Sequence, residues 1–192
     1  MFKSPFLEWF THIHPATPVI LYTPAILYFL FKSFTALTLP EIVGLFALGA
    51  LSWTIIEYLL HRFVFHYQPK TPFGKRIHFF THGVHHDYPK DSTRLVMPPP
   101  FSLPLGALFI VLYYNLFGVY GFALTAGLFT GYVVYDTVHY ATHHLPMKSR
   151  LGKFLKQYHM KHHYTDSDRS FGVSSPLWDF VFRTQPKSNK TS

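Results

Sequence analysis

Four long apolar stretches dominate this chain of 192 residues and leave it with only 14% charged residues. They cover residues 18–31, 39–60, 101–117 and 119–138. Because about 20 residues of α-helix cross the hydrocarbon core of a bilayer, the second and fourth stretches are long enough to span it, and the other two are short. The alternative is a soluble bundle of four buried helices. We predict an all-α integral membrane protein with about four transmembrane helices.

The positions of the basic residues favour the membrane protein over the soluble bundle. Of 17 Lys and Arg residues, only Lys32 lies near the connection between the first two stretches, and none lies beside Gly118, which connects the last two. Lys and Arg are enriched in cytoplasmic loops. We therefore predict two helical hairpins whose other ends, with both chain termini, face the cytoplasm, where anionic lipid head groups attract the net charge of +8.

Fourteen histidines form the second unusual feature, and most of them fall into four clusters at residues 61–66, 78–86, 139–144 and 159–163. Residues three or four apart share one face of a helix, so each cluster aligns several imidazoles. Imidazole is the commonest neutral metal ligand. Roughly ten converging nitrogens exceed the four that a structural zinc takes, and this number indicates two metal ions.

The first cluster has a spacing that an ideal helix does not align. His61 and His66 are five residues apart, which is about 140° around a regular α-helix. Two explanations remain open from the sequence. Either the two rings serve different metals, or the helix ends between them.

Composition and motifs exclude several functions. The chain has no cysteine, so disulfides, iron–sulfur ligation and thiol nucleophiles are excluded. No HExxH motif of zinc peptidases occurs. There is no RNP-like motif or continuous basic helix, so nucleic acid is not an expected partner. Residues 1–15 do not have the apolar core of a cleavable signal peptide.

The order of the histidine motifs, HxxxxH, HxxHH, HxxxHH and HxxHH, resembles that of the fatty acid hydroxylase/sterol desaturase superfamily of diiron membrane oxygenases over residues 53–184. The stretch from His82-Gly-Val-His85-His86 to Arg94-Leu-Val-Met-Pro is similar to the fatty acid 2-hydroxylase branch, which acts on sphingolipid acyl chains. The closing FGVSSPLWDFVFRT, residues 171–184, is also similar to the superfamily, although Arg183 stands where a Gly is usual.

The resemblance implies a set of metal ligands and of residues around them. Two iron ions would bind ten histidines: His61, His66, His82, His85, His86, His139, His143, His159, His162 and His163. Zinc is expected to replace iron in protein purified aerobically, because it binds nitrogen sites more tightly than ferrous iron. Four further residues are interpreted as groups that orient the ligands: Glu57, His78, Asp136 and His144. Of these, we expect Glu57 and Asp136 to accept hydrogen bonds from ligand histidines.

A loop after the second cluster carries charged residues with two possible roles. Asp87, Asp91 and Arg94 are expected either to fix this loop over the site or to contact the head group of the substrate. Trp178 and Asp179, near the end of the chain, are interpreted as structural.

The activity that the resemblance implies is hydroxylation of C2 of a fatty acyl chain, free or in a ceramide-like lipid, with O2 as co-substrate. The N-terminal cytochrome domain of many eukaryotic members is missing, so a separate electron donor is expected, either a b-type cytochrome or a ferredoxin with its reductase. A bacterial inner membrane is favoured over the endoplasmic reticulum. A sterol or carotenoid hydroxylase or desaturase is the alternative. A membrane metal carrier or sensor would need polar ligands midway through the bilayer, where the apolar stretches hold essentially none.

We predict one membrane domain over residues 1–192. Phe2, Phe6, Leu7, Trp9 and Phe10 would anchor its first segment at the membrane surface. The segments are an interfacial stretch (1–17), a first helix pair (18–60), histidine clusters one and two (61–97), a second helix pair (98–138), the cytoplasmic cap (139–184) and a flexible tail (185–192).

Overall fold

The structure is a computed structural model that describes Glu8 and residues 12–187. Within these residues it contains helices and loops and no strand, which confirms the all-α prediction. The predicted anchors Phe2, Phe6, Leu7, Trp9 and Phe10, and the last five residues of the predicted tail, lie outside this part of the chain. The helices are α1 (Thr17–Phe34), α2 (Leu39–Leu59), α3 (Pro72–His78), α4 (Val84–Asp87), α5 (Pro99–Phe117), α6 (Tyr120–His144), α7 (Arg150–Tyr164) and α8 (Leu177–Val181). Two π-helical segments, Leu60–Phe65 and Phe79–Gly83, directly follow α2 and α3.

Among the described residues, three helices are long and apolar enough to cross a membrane: Thr17–Phe34, Leu39–Phe65 and Pro99–Phe117. The fourth predicted span forms α6, which is less apolar than the other three. The physical reason is its central position, because α1, α2 and α5 all pack against it. A helix surrounded by protein needs no apolar face towards lipid. It therefore accommodates buried polar residues such as Thr125, whose hydroxyl donates to the Gly121 carbonyl at 2.7 Å.

Close packing of α2 and α6 sets the geometry of the bundle. A Cβ atom on Gly49 would lie 2.1 Å from the Leu124 carbonyl oxygen, and one on Gly127 would lie 2.0 Å from that of Phe46. Small residues allow membrane helices to approach at backbone distance. Further along the pair, the position of a Cβ on Gly131 falls against the Trp53 side chain. From the first two pairs to the contact of Trp53 with Gly131, the position advances in the same direction along both helices, so α2 and α6 run parallel.

The parallel arrangement brings the C-terminal ends of α2 and α6, and their histidines, to one end of the bundle. The two hairpin tips lie at the other end. Gly118, at the tip between α5 and α6, has a φ of 56° that favours glycine. At the tip between α1 and α2, the Thr38 backbone N–H donates to the Glu41 carboxylate at 2.8 Å. The predicted pairing of helices around short connections is therefore confirmed.

A set of shorter helices covers the histidine end. Ser149 caps the N-terminus of helix α7, and its hydroxyl accepts from the Gly152 N–H at 3.0 Å. This amphipathic helix buries Tyr158, His159 and His162 and exposes its cationic side chains. Helices α3, α4 and α8 complete the predicted histidine-rich cap.

Candidate metal centre

Five histidines on or beside the two π-helical segments, on α4 and on α7 form what we call the first histidine group. One ligand atom from each lies within 4.8 Å of all the others. Nε2 of His82 lies 2.9 Å from that of His86, 3.2 Å from that of His61 and 3.3 Å from that of His66. The group consists of His61, His66, His82, His86 and His162.

His61 and His66 belong to the same group because the helix between them is wound as a π-helix. The His66 N–H donates to the His61 carbonyl, five residues back, at 3.1 Å. A π-helix closes its turns with such i→i+5 hydrogen bonds, so residues five apart return to the same face. Of the two explanations left open by the sequence, the first does not describe the structure, because both rings belong to one group. The second does, because the regular α-helix ends at Leu59 and the π-helical segment at Phe65, before His66.

The second histidine group contains the other five predicted ligands, again with ligand atoms within 4.8 Å of one another. Nε2 of His85 lies 3.0 Å from that of His139 and 3.0 Å from that of His163. Nε2 of His159 lies 2.9 Å from that of His143 and 3.1 Å from that of His163. Helices α6 and α7 each contribute a pair one turn apart. The group consists of His85, His139, His143, His159 and His163.

The spacing of the nitrogens fits a transition metal ion in each group. Two nitrogens bound to one ion at about 2.05 Å lie about 2.9 Å apart when their bonds meet at a right angle, and about 3.3 Å apart at the tetrahedral angle. The neighbouring Nε2 atoms within the groups are 2.9 to 3.3 Å apart. Five imidazoles turned towards one point cannot all satisfy each other by hydrogen bonds. The donor set therefore suits a cation.

The two groups are direct neighbours, which suits a dinuclear centre. His85 and His86 are consecutive in sequence and belong to different groups. The rings of His86 and His163 stack across the boundary, with centroids 4.3 Å apart and planes inclined by 22°.

Backbone carbonyls orient two rings of the first group. His61 Nδ1 lies 2.5 Å from the Phe171 carbonyl oxygen, and His162 Nδ1 lies 2.6 Å from that of Arg169. Donation of Nδ1–H to these carbonyls fixes the tautomer and directs Nε2 into the group. Nε2 of His162 is buried and has no hydrogen-bond partner among residues 12–187. A bound cation would satisfy it.

The environment keeps the rings neutral, the form that binds a metal. Burial lowers the pKa of His66 to about 3, and repulsion from a charged His162 adds to the effect. Burial likewise lowers the pKa of His162 to about 4, although the Arg169 carbonyl opposes this shift. The pKa of His82 is also well below its ordinary value, because its ring is buried and faces other histidines.

Glu57 does not accept a hydrogen bond from a ligand histidine, so that prediction was wrong. Its buried carboxylate accepts from the Val173 N–H at 2.6 Å, from the Ser174 N–H at 2.9 Å and from the Ser174 hydroxyl. The reason is that the fold brings residues 173 and 174, which are far from Glu57 in sequence, against the end of α2. Glu57 thus supports the segment that begins with Phe171, the carbonyl partner of His61. Its effect on the first group is indirect.

Asp136 is fully buried on α6 beside the Tyr132 hydroxyl and the Met97 backbone. Within the described chain, no histidine donates a hydrogen bond to its oxygens, so the predicted partner was wrong here too. His78 and His144 belong to neither group. His78 is half-buried near the first group, and the ring of His144 lies against Tyr140 with centroids 4.8 Å apart.

The contacts of Arg94 are those expected of the first role considered for it, which is to fix the loop. Its side chain is 7% exposed, Nε lies 3.0 Å from an Asp91 carboxylate oxygen, and one terminal nitrogen contacts the Glu8 carboxylate. The same nitrogen lies 2.6 Å from His12 Nε2. Arg94 and Asp91 therefore tie the loop to the N-terminal segment. Asp87 is exposed at the end of α4.

Sequence reasoning missed the importance of the Phe171 segment for the ligands. The carboxylate of Asp179 accepts from the Phe171 N–H at 3.0 Å and from the Gly172 N–H at 2.8 Å. Asp179, which was interpreted as structural, therefore holds the backbone of this segment. The available signal was the similarity of residues 171–184 to the superfamily. Arg183, at the position where Gly is usual, has a φ of 57°. This left-handed conformation accounts for the usual glycine.

The chain is similar to known enzymes over most of its length. It is 40% identical over 192 residues to a dihydroceramide fatty acyl 2-hydroxylase of Arabidopsis thaliana, with 96% of this chain and 79% of the relative covered. It is 44% identical over 144 residues to a ceramide very long chain fatty acid hydroxylase of Saccharomyces cerevisiae, covering 73% of this chain and 37% of that protein.

A solved structure and a family model agree with these relatives. The structure of full-length scs7p, in which only the hydroxylase domain is visible, superposes with a TM-score of 0.93 at 35% identity and covers 98% of this chain and 72% of that one. The family model described as fatty acid hydroxylase matches residues 46–184. The two histidine groups fall inside the matched region. The chain belongs to the fatty acid hydroxylase family.

Proposed function

We propose that this protein is a membrane monooxygenase that hydroxylates C2 of a fatty acyl chain, either free or in a ceramide-like lipid. The observation that carries the proposal is the pair of adjacent five-histidine groups at one end of a bundle of membrane-crossing helices. Relatives named as fatty acyl 2-hydroxylases support the choice of reaction. The same relatives favour an acyl chain over a sterol or carotenoid.

In this proposal each histidine group holds one metal ion, and the metal used for the reaction is iron. Two irons together supply the redox chemistry that activates O2, which side chains lack. Zinc would bind the same nitrogens and block turnover, because it has no redox chemistry. The ten ligands would be the residues of the first and second histidine groups.

The reaction inserts one oxygen atom of O2 into a C–H bond at C2 and releases the other as water. This requires two electrons and two protons in addition to O2. We propose that a separate protein, a b-type cytochrome or a ferredoxin with its reductase, delivers the electrons. The chain has no cysteine and therefore offers no iron–sulfur ligands of its own.

The protein contributes geometry. The carbonyls of Phe171 and Arg169 hold the rings of His61 and His162, and Glu57 and Asp179 hold the backbone that presents Phe171. Fixed rings keep the nitrogens at metal-binding distance during turnover. Burial of the second group, in which the ring of His159 is fully enclosed, limits the access of water.

The position of the groups supports oxidation near the carbonyl. They lie where α2 and α6 end, and a lipid whose head group sits at that surface would present its first carbons to them. The rest of its tail would remain among the membrane helices. Oxidation near the methyl end would require the chain to turn round. The distribution of Lys and Arg supports a cytoplasmic position for this end of the molecule.

The test is product analysis with a fatty acid deuterated only at C2. Hydroxylation at C2 replaces one deuterium, so the product of the iron-loaded enzyme should retain one. A hydroxylated product that keeps both would exclude the 2-hydroxylase. Mass spectrometry of lipids from cells with and without the gene should show 2-hydroxyacyl lipids only in cells that have it, whereas a change confined to sterols would favour the alternative substrate.

A further inference from the structure

Two cavities meet beside the first histidine group. The first, which we call the histidine chamber, has a volume of about 310 Å³ and is lined by His66, His82 and His86. At its outer rim are the polar side chains of Gln68, Asp87 and Ser167. The chamber thus connects the nitrogens of the first group with a polar surface.

The second cavity, which we call the apolar groove, has a volume of about 560 Å³. Three helices contribute facing residues to it at intervals of about one turn. The π-helical segment after α2 provides Leu60 and Val64, helix α3 provides Ile77, and helix α5 with the residue pair before it provides Met97, Phe101 and Leu105. The volume falls within the range of about 300–1,000 Å³ that is typical of ligand sites.

Phe65 and His78 line both cavities and therefore separate them. Phe65 is buried, and its ring stacks on that of His82 with centroids 5.1 Å apart and an angle of 19° between the planes. His78 is half-buried and belongs to neither histidine group. The wall between groove and chamber is thus one side chain thick, and neither residue is used by the metal centre as described above.

At its other end the groove reaches the interior of the helix bundle. Met97 and Leu105 also line a small cavity of about 20 Å³ between the membrane helices, together with Tyr22 and Trp53. The three spaces therefore adjoin one another through shared lining residues, from the polar rim of the chamber to an apolar end: Phe65 and His78 lie between the first two, and Met97 and Leu105 between the last two. This order of surfaces matches a molecule with a polar head and a long apolar tail.

We propose that the apolar groove holds the acyl chain of the substrate, that its first carbons pass between Phe65 and His78 so that C2 lies in the histidine chamber, and that Leu105 limits its length. The inference rests on the proposed function and adds the position of the chain to it. A lipid is the occupant because two of the three lining helices cross the membrane, so an acyl chain can enter without leaving an apolar environment. The head group lies at the rim formed by Gln68, Asp87 and Ser167.

Photo-crosslinking tests the location without requiring turnover. The purified full chain in lipid nanodiscs is irradiated with a fatty acid that carries a diazirine about halfway along its chain, and the labelled peptides are identified by mass spectrometry. Label is expected on residues 60–64 and 97–105, and excess unlabelled fatty acid should remove it. Specific labelling of the cap around Phe154, or labelling that competitor does not reduce, would overturn the proposal.

Substitutions in α5 test the length limit. In the iron-loaded enzyme, Leu105→Trp should fill the inner end of the groove and lower the ratio of long-chain to short-chain 2-hydroxy products by about tenfold, since a few methylenes are sufficient for such discrimination. Leu108→Trp is the matched control, because Leu108 lies one turn further along α5, is 59% exposed and lines none of these cavities. Equal product ratios in the two variants would contradict the limit at Leu105.

A substitution in the wall tests the placement of C2. Phe65→Ala widens the opening between groove and chamber, so the chain is held less firmly and hydroxylation should spread from C2 to neighbouring carbons. If wild-type protein yields 2-hydroxy acids but the label lies outside the groove, the groove proposal fails and the function stands. If the label lies in the groove but no 2-hydroxy product forms, the function fails and the lipid site stands.

Discussion

His61 and His66 face the same metal position because a single π-turn separates them, closed by the hydrogen bond from the His66 N–H to the His61 carbonyl at 3.1 Å. Insertions of this kind in an α-helix are rare and frequently occur at functional sites. Here the extra residue brings His66 onto the face of His61 at the point where the helix ends. The π-turn therefore supplies two of the five histidines of the first group from a single helix.

Metal analysis tests the two groups separately. The purified chain is expected to bind about two equivalents of transition metal, iron and zinc together, because each group offers a full set of nitrogens. His66→Ala and His143→Ala each remove a ligand from one group, and each should lower the content by about one equivalent. His144→Ala is the matched control, since it adjoins His143 but lies in neither group. A wild-type stoichiometry of one in fully loaded protein would contradict the dinuclear centre.

Glu57→Gln is expected to destabilise the protein by about 1–3 kcal/mol, because its NH₂ would replace the oxygen that accepts from the Ser174 hydroxyl, and its amide oxygen would be a weaker acceptor for the Val173 and Ser174 N–H groups. The loss of support for Phe171 should also weaken metal binding in the first group more than in the second. Thermal unfolding and metal titration in detergent measure the two effects. Glu41→Gln, on the exposed start of α2, should change stability much less. Equal effects of the two variants would argue against a specific role of Glu57.

Arg183→Gly is expected to stabilise the protein by about 1 kcal/mol, because Gly adopts the left-handed backbone of this position without the steric cost of a Cβ atom. Arg183→Ala separates this effect from the loss of charge, since it keeps the Cβ atom and should give no gain. The midpoints of thermal unfolding of the two variants are compared with that of the wild-type protein. A gain of the same size in both variants would mean that the side-chain charge, not the backbone, was responsible.

Arg94→Met should cost about 2–3 kcal/mol, because it leaves the carboxylates of Glu8 and Asp91 without their shared cation; both are half-buried and retain some hydration. In the double variant with Asp91→Asn, the loss should be smaller than the sum of the two single losses. The ratio of free fatty acid to ceramide used as substrate should stay unchanged. A shift in that ratio would instead support a contact between Arg94 and the head group of the substrate.

The sequence predicted those features that depend on regular helix geometry. The apolar stretches located α1, α2, α5 and α6 to within a few residues, because apolar length is a local property. The pairs His139 with His143 and His159 with His163 were aligned correctly, because a spacing of four fits an α-helix. A spacing of five does not fit it, and no pattern in residues 60–65 identifies a π-turn in advance. The sharing of one group by His61 and His66 therefore required the structure.

Contacts between distant parts of the chain could not be predicted either. Glu57 was correctly singled out as a carboxylate beside the site, but its partner Val173 is 116 residues away. The choice between a histidine and a backbone N–H depends on which segment the fold brings to the end of α2. In the same way, Arg94 looked available for a lipid until the structure placed Glu8 and Asp91 against it.

The anchoring of residues 171–174 by Glu57 and Asp179 has a consequence for biosynthesis. The carbonyl that orients His61 comes from Phe171, near the end of the chain, whereas His61 leaves the ribosome more than a hundred residues earlier. Chains fold progressively from the N-terminus during synthesis, so the membrane helices can insert well before the first histidine group is complete. Metal loading is then a late event that follows membrane insertion. A chain stopped before residue 171 would enter the membrane with its early histidines aligned on their helices and without the contacts that hold them for an ion.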